Sequence, residues 1–194
     1  MRPRGWRLWR HRGPGVALTF DDGPHPAHTP AVLDRLAAFG VTATFYLVGR
    51  RVADAPAAPR RLIEAGHAVG NHTFTHTPAG WFDGRAAWRD IGDCQRVVAD
   101  ACGVAPRLFR PPLGRLRPPQ LLAAAGHRLT PRLWTLDSDD WRCRTDADAD
   151  RCAARVLAAV RPGDVLLFHD DHRFIGRILD AVLPGLATKG LLQR

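Results

Sequence analysis

Short apolar runs rich in β-branched and aromatic residues alternate about six times with longer segments of helical periodicity. The first run covers residues 15–20, and the segment after it places Val32, Leu33 and Leu36 at helical spacing before Gly40. Such alternation predicts strand–helix units whose strands run parallel. We therefore expect an α/β protein, and both a barrel and an open doubly wound sheet fit the pattern.

Turn and cap residues predict where these elements begin and end. Thr29 is expected to cap the first helix, with Pro30 at its first helical position. The predicted strands cover residues 15–20, 42–48, 67–71, 108–110, 132–136 and 164–168. The later predicted helices cover residues 56–65, 85–101, 118–125, 147–160 and 175–187. The inward-facing residues of the helix at 85–101 are expected to be Trp88, Ile91, Val97 and Val98.

The formal net charge of +9 raises the question of an anionic partner. Of the 28 basic residues only Lys189 is a lysine, and the arginines are scattered along the whole chain. They accompany no nucleic-acid recognition motif, so we expect no nucleic-acid partner. Residues 1–14 are expected to form a basic N-terminal arm, and residues 15–194 a single domain that buries its own core.

Hydropathy bears on where the chain resides. No apolar run approaches the roughly 20 residues that span a bilayer, so no transmembrane segment is expected. No apolar core follows the basic N-terminal residues, so we expect no signal peptide. The chain is then cytoplasmic as it stands, while export to the cell envelope by another route stays open. We expect a monomer.

The four cysteines indicate neither a metal site nor a disulfide framework. They form no C-x-x-C pair, which argues against a cysteine zinc site. Cys94 and Cys102 are expected on one helix, roughly 12 Å apart, which is too far for a disulfide between them. We expect these two, with Cys143 and Cys152, to be buried free thiols.

Polar residues with chemical potential follow five of the predicted strands. In a parallel α/β fold the carboxyl ends of the strands share one face, where such folds place their chemistry. A chance scatter of polar residues would not favour that end of each strand. The residues at these ends are Asp21 and Asp22, His72 and His76, Arg110, then Asp137, Asp139, Asp140 and Trp141, and finally His169 and Asp170.

The adjacent carboxylates of Asp21 and Asp22 repel each other and call for a positive partner. His72 and His76 are four residues apart, which predicts that both imidazoles lie on one side of a helical turn. Two histidines and one carboxylate make a set of three protein ligands that leaves positions open for water or substrate. A divalent cation bound there would supply the positive charge, and the second aspartate would act as a general base.

Five segments resemble, in order, the motifs of the polysaccharide deacetylases, which are the NodB-homology domains of carbohydrate esterase family 4. The segments are TFDDGP at residues 19–24, HTFTH at 72–76, RPPLG at 110–114, DSDDW at 137–141 and LFHD at 167–170. The resemblance implies a deformed (β/α) barrel of about seven strands or fewer. It implies a metal-dependent hydrolase that removes acetyl groups from N-acetylglucosamine-containing glycans such as chitooligosaccharide or peptidoglycan.

The resemblance also implies a role for each matching residue. Asp22, His72 and His76 would bind the metal, most often Zn²⁺, with Co²⁺ or Ni²⁺ as other choices. Asp21 would be the general base, held by Arg110, and His169 the general acid, oriented by Asp140. The substrate-binding residues would be Trp141 and Leu167, which shape the acetyl pocket, and Leu113, whose backbone N–H would face the developing oxyanion.

Other functions remain open at this stage. Leu113 stands where the third motif often carries an aromatic residue, so a stacking contact to a sugar ring is in question. The substrate therefore stays open, and the alternatives are another acetylated polymer such as xylan or a different small amide. A glycan-binding module of the same fold is a further alternative, although such a module needs neither a base nor an acid. His25, His28 and His172 are expected near the rim of the site.

Overall fold

The computed structural model describes residues 11, 13–77 and 83–192 of the chain, so most of the predicted basic arm lies outside the described residues. Within them, seven strands and seven helices follow one another. The strands are β1 (Ala17–Asp21), β2 (Thr44–Leu47), β3 (Ala68–Asn71), β4 (Leu108–Phe109), β5 (Thr130–Pro131), β6 (Leu136–Asp137) and β7 (Val165–His169). The helices are α1 (His28–Ala38), α2 (Gly49–Asp54), α3 (Ala57–Glu64), α4 (Gly84–Cys102), α5 (Pro118–Gly126), α6 (Asp146–Ala159) and α7 (Ile175–Thr188). In this part of the chain no helix combines the length and the apolar character needed to cross a bilayer.

The chain divides into two compact units, each assembled from separate stretches of sequence. The first unit contains the described residues up to Phe20, together with His25–Thr44 and those from Leu133 onward. The second unit contains Asp21–Pro24 and the described part of Phe45–Arg132. Asp21, the last residue of β1, therefore belongs to the second unit.

The first unit is built on the strand order β1-β7-β6. Strands β6 and β7 are parallel, with Leu136 opposite Leu166. Four of the five residues of β7 are buried, as expected of a parallel strand covered on both faces. Helix α7 packs against α1 and α6, and the rings of Phe20 and Phe168 stack with their centroids 5.8 Å apart. These contacts hold the carboxyl ends of β6 and β7 in place.

The second unit is built on the strand order β2-β3-β4-β5. Strands β3, β4 and β5 pair in parallel, with Gly70 opposite Leu108 and Phe109 opposite Pro131. Helix α4 packs against α2, α3 and α5. A buried apolar cluster fills the space beneath α4 and α5, and its members are Ala87, Ile91, Phe109, Ala123, Ala124 and Leu129.

The prediction that Thr29 caps the first helix is wrong. Helix α1 begins at His28 with Ala27 as its N-cap, so Thr29 lies inside the first turn. Its hydroxyl donates to the carboxylate of Asp170 and accepts a hydrogen bond from the backbone N–H of His25 at 2.8 Å. The Thr29 hydroxyl, which the sequence pattern predicted as a helix cap, is therefore hydrogen-bonded to the buried carboxylate of Asp170.

Three further element predictions need correction. Most of the strand expected at residues 132–136 is irregular: β5 ends at Pro131 and pairs with β4 in the second unit, and β6 begins only at Leu136 and pairs with β7 in the first. Helix α2 was not predicted, since its six residues carry only Gly49 and Val52 as buried positions and show no apolar periodicity. Trp88 does not face inward; it is 48% exposed, and its ring lies 4.3 Å from that of His127.

The cysteine predictions are confirmed. Cys94 and Cys102 both lie on α4, and all four cysteines are buried free thiols. Burial raises the pKa of Cys94 to about 12, so its thiol stays protonated at neutral pH. The cysteines therefore act here as small apolar side chains.

The buried cluster of the second unit should carry a large part of the stability. We expect Ile91→Ala to lower the free energy of unfolding by about 3 kcal/mol, because Ile91 is 1% exposed and its loss leaves a cavity. Leu122→Ala is the matched control, since Leu122 is 73% exposed, and it should change stability by less than about 0.5 kcal/mol. Urea unfolding followed by circular dichroism measures both, and equal losses would contradict the assignment of the core.

Candidate active site

Polar residues of the second unit lie at the carboxyl ends of three strands. Asp21 is the last residue of β1, His72 follows β3 and Arg110 follows β4. The backbone N–H of His72 donates to Leu47 of β2, and that of Arg110 donates to Asn71 of β3, at 3.0 and 2.9 Å. The sheet itself therefore sets the spacing of these side chains.

Asp22, His72 and His76 form a group of potential metal ligands. Oδ1 of Asp22 lies 3.3 Å from Nε2 of His72 and 3.0 Å from Nε2 of His76. One ligand atom from each residue lies within 4.8 Å of the other two. Two imidazole nitrogens and one carboxylate oxygen suit a divalent first-row cation such as zinc. The donor set therefore fits the predicted metal.

The ring of His72 is oriented by the backbone of Arg110. Nδ1 of His72 lies 2.7 Å from the carbonyl oxygen of Arg110, and a carbonyl oxygen can only accept. Nδ1 must therefore carry the hydrogen, which leaves the lone pair of Nε2 directed at the other ligands. Burial lowers the pKa of His72, but the attraction of Asp21 and Asp22 more than offsets it, and the net shift is upward. The two carboxylates thus favour positive charge at this place.

The prediction that His72 and His76 lie on a helical turn is wrong. The segment from 72 to 77 is an irregular loop in which Thr73 and His76 have positive φ angles of 65° and 54°. The N–H of Thr73 donates to the side chain of Asn71 at 2.9 Å, and the N–H of His76 donates to the hydroxyl of Thr73 at 3.1 Å. These bonds turn the loop so that the two rings lie 4.9 Å apart. Neither Asn71 nor Thr73 was singled out from the sequence, although both adjoin His72.

Asp22 lies in the turn after β1 and has an unusual backbone conformation. Its φ is 73°, in the left-handed region that few residues other than glycine, asparagine and aspartate adopt. The guanidinium of Arg51 donates to its carbonyl oxygen at 2.7 Å, and the N–H of Val48 donates to the carbonyl of Gly23 at 2.9 Å. Two residues of the neighbouring β2–α2 segment thus hold the turn that presents the carboxylate.

Asp21 and Arg110 form a buried ion pair next to the ligand set. Nη1 of Arg110 lies 2.6 Å from Oδ1 of Asp21, and both side chains are almost fully buried. The guanidinium also stacks over the ring of Tyr46 at 3.9 Å, and its Nε donates to the carbonyl of Arg132 at 3.2 Å. The second oxygen of Asp21, Oδ2, lies 3.7 Å from Nε2 of His72. One oxygen of Asp21 is thus held by Arg110, and the other faces the candidate metal ligand His72.

The first unit brings together the residues that follow β6 and β7. Oδ1 of Asp140 lies 2.7 Å from Nδ1 of His169, and Oδ2 lies 3.1 Å from Nε2 of His172. Asp140 is completely buried in a short 3₁₀ turn at Asp140–Arg142. Burial alone would raise the pKa of Asp140, but attraction to His169 and hydrogen bonds from His169 and His172 hold it well below its usual range. Asp140 is therefore a permanent carboxylate that orients the His169 imidazole.

The other acids after these strands serve the local structure. Oδ1 of Asp137 accepts the N–H of Asp139 at 2.8 Å, and burial raises the pKa of Asp137. Oδ2 of Asp139 pairs with Arg155 of α6 at 2.6 Å. Asp170 is completely buried against the hydroxyl of Thr29.

The three predicted substrate-binding residues differ in exposure. Leu113 is 57% exposed in a 3₁₀ turn at Pro112–Gly114, and its φ of 59° is strained for a leucine. Trp141 is 50% exposed, with the guanidinium of Arg142 4.6 Å from its ring centre. Leu167 is 3% exposed within β7. Leu113 and Trp141 can therefore contact a ligand from solvent, whereas Leu167 is mostly enclosed by protein.

Comparison with known proteins relates this geometry to one family. The sequence profile of the polysaccharide deacetylases matches residues 10–130. The chitooligosaccharide deacetylase of Sinorhizobium fredii is 41% identical over 159 residues, which cover 81% of this chain and 72% of that protein.

Solved structures show the same fold. Peptidoglycan deacetylase PdaC from Bacillus subtilis is 30% identical with a TM-score of 0.83, and the match covers 92% of this chain and 85% of that chain. A pseudoenzyme of carbohydrate esterase family 4 from Bacillus anthracis is 25% identical with a TM-score of 0.86, over 95% of this chain and 65% of that chain. The predicted α/β fold of NodB-homology type is thereby confirmed.

The ligand set can be tested by metal binding alone. We expect wild-type protein to bind one Zn²⁺ ion and His76→Ala to lower its affinity by more than about 100-fold, because one of three protein ligands is lost. His127→Ala is the control, since His127 bonds to the carbonyl of Trp88 and belongs to no potential ligand group among the described residues. Competition with a chromophoric chelator gives the constants, and affinity should fall at acid pH as the imidazoles are protonated. Equal affinity in both variants would contradict the ligand assignment.

The buried ion pair should be costly to break. Arg110→Met leaves the Asp21 carboxylate buried without its partner, and we expect the free energy of unfolding to fall by about 3–5 kcal/mol. The double variant Arg110→Met, Asp21→Asn should recover part of that loss, because the unpaired charge is gone. Arg96→Met breaks the exposed pair with Asp93 and should cost less than about 1 kcal/mol. Denaturant unfolding of metal-free protein measures the series, and a loss for Arg110→Met no larger than for Arg96→Met would overturn the expectation.

Proposed function

The chain belongs to the polysaccharide deacetylase family, and on that premise we propose that it hydrolyses the acetamido group of N-acetylglucosamine units in a glycan. The observation that carries the proposal is the Asp22, His72 and His76 ligand group, with the Arg110-held carboxylate of Asp21 beside it. Metal ligands alone would serve a binding protein, but a second carboxylate beside them serves as a base. The similar proteins from Sinorhizobium fredii and Bacillus subtilis support chitooligosaccharide and peptidoglycan as the substrates to test first.

Asp22, His72 and His76 would hold the divalent cation, with Zn²⁺ as the proposed metal and Co²⁺ or Ni²⁺ as replacements. When bound, the cation polarises the acetyl carbonyl and makes a water molecule more acidic. The protein sets the direction of its ligands through the bond from His72 Nδ1 to the carbonyl of Arg110.

Asp21 is the proposed general base. Its Oδ1 is bound by Arg110 at 2.6 Å, so Oδ2 is the oxygen that receives the proton of the attacking water. Water then adds to the acetyl carbon as its proton passes to Asp21. The buried guanidinium keeps the carboxylate in one orientation throughout, and the backbone N–H of Leu113 is proposed to stabilise the oxyanion.

His169 is the proposed general acid. The C–N bond breaks as the imidazole gives a proton to the leaving amine, which yields acetate and a free glucosamine nitrogen. Asp140 accepts the Nδ1 hydrogen of His169 at 2.7 Å, which directs Nε2 of the ring outward as the proton donor. Trp141 and Leu167 are proposed to shape the space for the acetyl methyl group.

The alternative is a glycan-binding module without turnover, and one observation gives it weight. A pseudoenzyme from Bacillus anthracis has the same fold with a TM-score of 0.86, so this fold does not by itself guarantee activity. In this chain, however, Asp21, Arg110 and the His169–Asp140 pair are all in place. A binding module needs none of them, and we therefore favour the enzyme.

Acetate release tests the proposal. We expect the zinc-loaded protein to release acetate from short chitooligosaccharides or from peptidoglycan fragments, and a chelator to abolish the release. Asp21→Asn should lower kcat by about 10²- to 10⁴-fold while zinc binding is retained, because the base is lost and the ligands are not. Asp34→Asn on the exposed face of α1 is the control and should have wild-type activity.

The possible outcomes separate the alternatives. Bound glycan with stoichiometric zinc and no acetate from any N-acetylated substrate would support the binding module. Acetate from acetylated xylan alone would keep the hydrolase and change the substrate class. Full activity of Asp21→Asn would refute the assigned base.

A further inference from the structure

A second imidazole contacts the carboxylate that orients the proposed acid. His172 lies three residues after His169, and its Nε2 is 3.1 Å from Oδ2 of Asp140. A carboxylate only accepts hydrogen bonds, so Nε2 of His172 carries the hydrogen and donates it. Asp140 therefore holds two imidazoles at once, one on each oxygen.

Each oxygen of Asp140 accepts two hydrogen bonds. Oδ1 accepts from Nδ1 of His169 at 2.7 Å and from the backbone N–H of Trp141 at 2.9 Å. Oδ2 accepts from the backbone N–H of His169 at 2.7 Å and from Nε2 of His172. The backbone donors already hold the carboxylate at both of its oxygens. The orientation of Asp140 therefore does not depend on His172.

We propose that His172 is a positioning residue for the hydrolysis, which acts on His169 through the carboxylate of Asp140 that the two imidazoles share. By donating to Oδ2, His172 takes up part of the negative charge of Asp140. The carboxylate then binds the Nδ1 hydrogen of His169 less strongly, and His169 gives up its proton more readily. This inference rests on the proposed role of His169 as the general acid.

A purely structural role explains His172 poorly. Its Nδ1 is buried and has no hydrogen-bond partner among the residues that the structure describes. Burying a polar atom without a hydrogen-bond partner is unfavourable, and an apolar ring of similar size would avoid that cost. Its ring lies near that of Phe174, with centroids 6.5 Å apart. The single hydrogen bond to Asp140 is therefore the feature that distinguishes this histidine from a phenylalanine.

Several other ionisable groups face the cluster and belong in any account of its pH dependence. His28 of α1 interacts with His172, and burial together with repulsion from His25 and His172 lowers the pKa of His28. The rings of His25 and His28 stack with centroids 4.2 Å apart. Asp137 interacts electrostatically with His169 and Asp140, and Asp171 interacts with His28. The buried thiols of Cys143 and Cys152 also interact with Asp140.

Two substitutions separate the hydrogen bond from the ring. His172→Phe keeps the ring and removes the donor, whereas His172→Gln places an amide N–H near the position of Nε2. We expect His172→Phe to lower kcat about tenfold with little change in KM and to move the alkaline limb of the pH–rate profile to higher pH. His172→Gln should recover most of the wild-type kcat and profile. The Nδ1 proton resonance of His169 should move downfield in His172→Phe and return in His172→Gln.

The result that overturns the proposal is an unchanged proton resonance in His172→Phe, or equal changes in both variants. If His172→Phe does not fold, His172→Met takes its place in the experiment, because methionine also removes the donor and its side chain is flexible and apolar. His169→Gln separates this inference from the proposed function, because full activity of that variant would refute the acid itself. The proton resonance does not require turnover, so it decides the coupling through Asp140 even where no acetate is released.

Discussion

The candidate metal centre depends on one buried residue, Arg110. Its guanidinium binds Asp21 at 2.6 Å, and its carbonyl oxygen orients His72 at 2.7 Å. One residue thus holds the proposed base through its side chain and a candidate metal ligand through its backbone. A buried guanidinium is tolerated only with a close counter-charge and further contacts, and Asp21, Tyr46 and the carbonyl of Arg132 provide them. Any displacement of Arg110 would therefore disturb the base and the ligand set together.

Whereas the central buried charge of the second unit is a guanidinium, that of the first unit is a carboxylate. There the buried charge is negative, and Asp140 is stabilised by donors from two backbone amides and two imidazoles. These donors hold the pKa of Asp140 well below its usual range, so it is charged at neutral pH. It can therefore hold His169 in one tautomer while the proton on the other nitrogen is exchanged. The proposed base Asp21 is oriented by the buried guanidinium of Arg110, and the proposed acid His169 by the buried carboxylate of Asp140.

Local sequence pattern predicted the helices well and the short strands poorly. Helices α5, α6 and α7 begin and end within about one residue of the prediction, because capping and periodicity are local properties. Strands β5 and β6 have two residues each, and what makes them strands is pairing with β4 and β7, which no local pattern reveals. Thr29 carries the residue type of a cap, yet its hydroxyl binds Asp170, which lies 141 positions away. The half-exposed position of Trp88 was missed for the same reason, since its ring partner His127 directly follows another helix.

The sequence by itself determined the α/β class, the family motifs and the identity of the three candidate metal ligands. These follow from residue types and their order, which set strand ends and donor chemistry before any packing is known. Only the tertiary structure decided how the ligands meet: His76 reaches Asp22 through a loop with positive φ angles, whereas the spacing had predicted a helical turn. It also decided that His172 shares Asp140 with His169. Both depend on contacts between residues distant in the chain, which are fixed by burial and hydrogen-bond satisfaction in the folded protein.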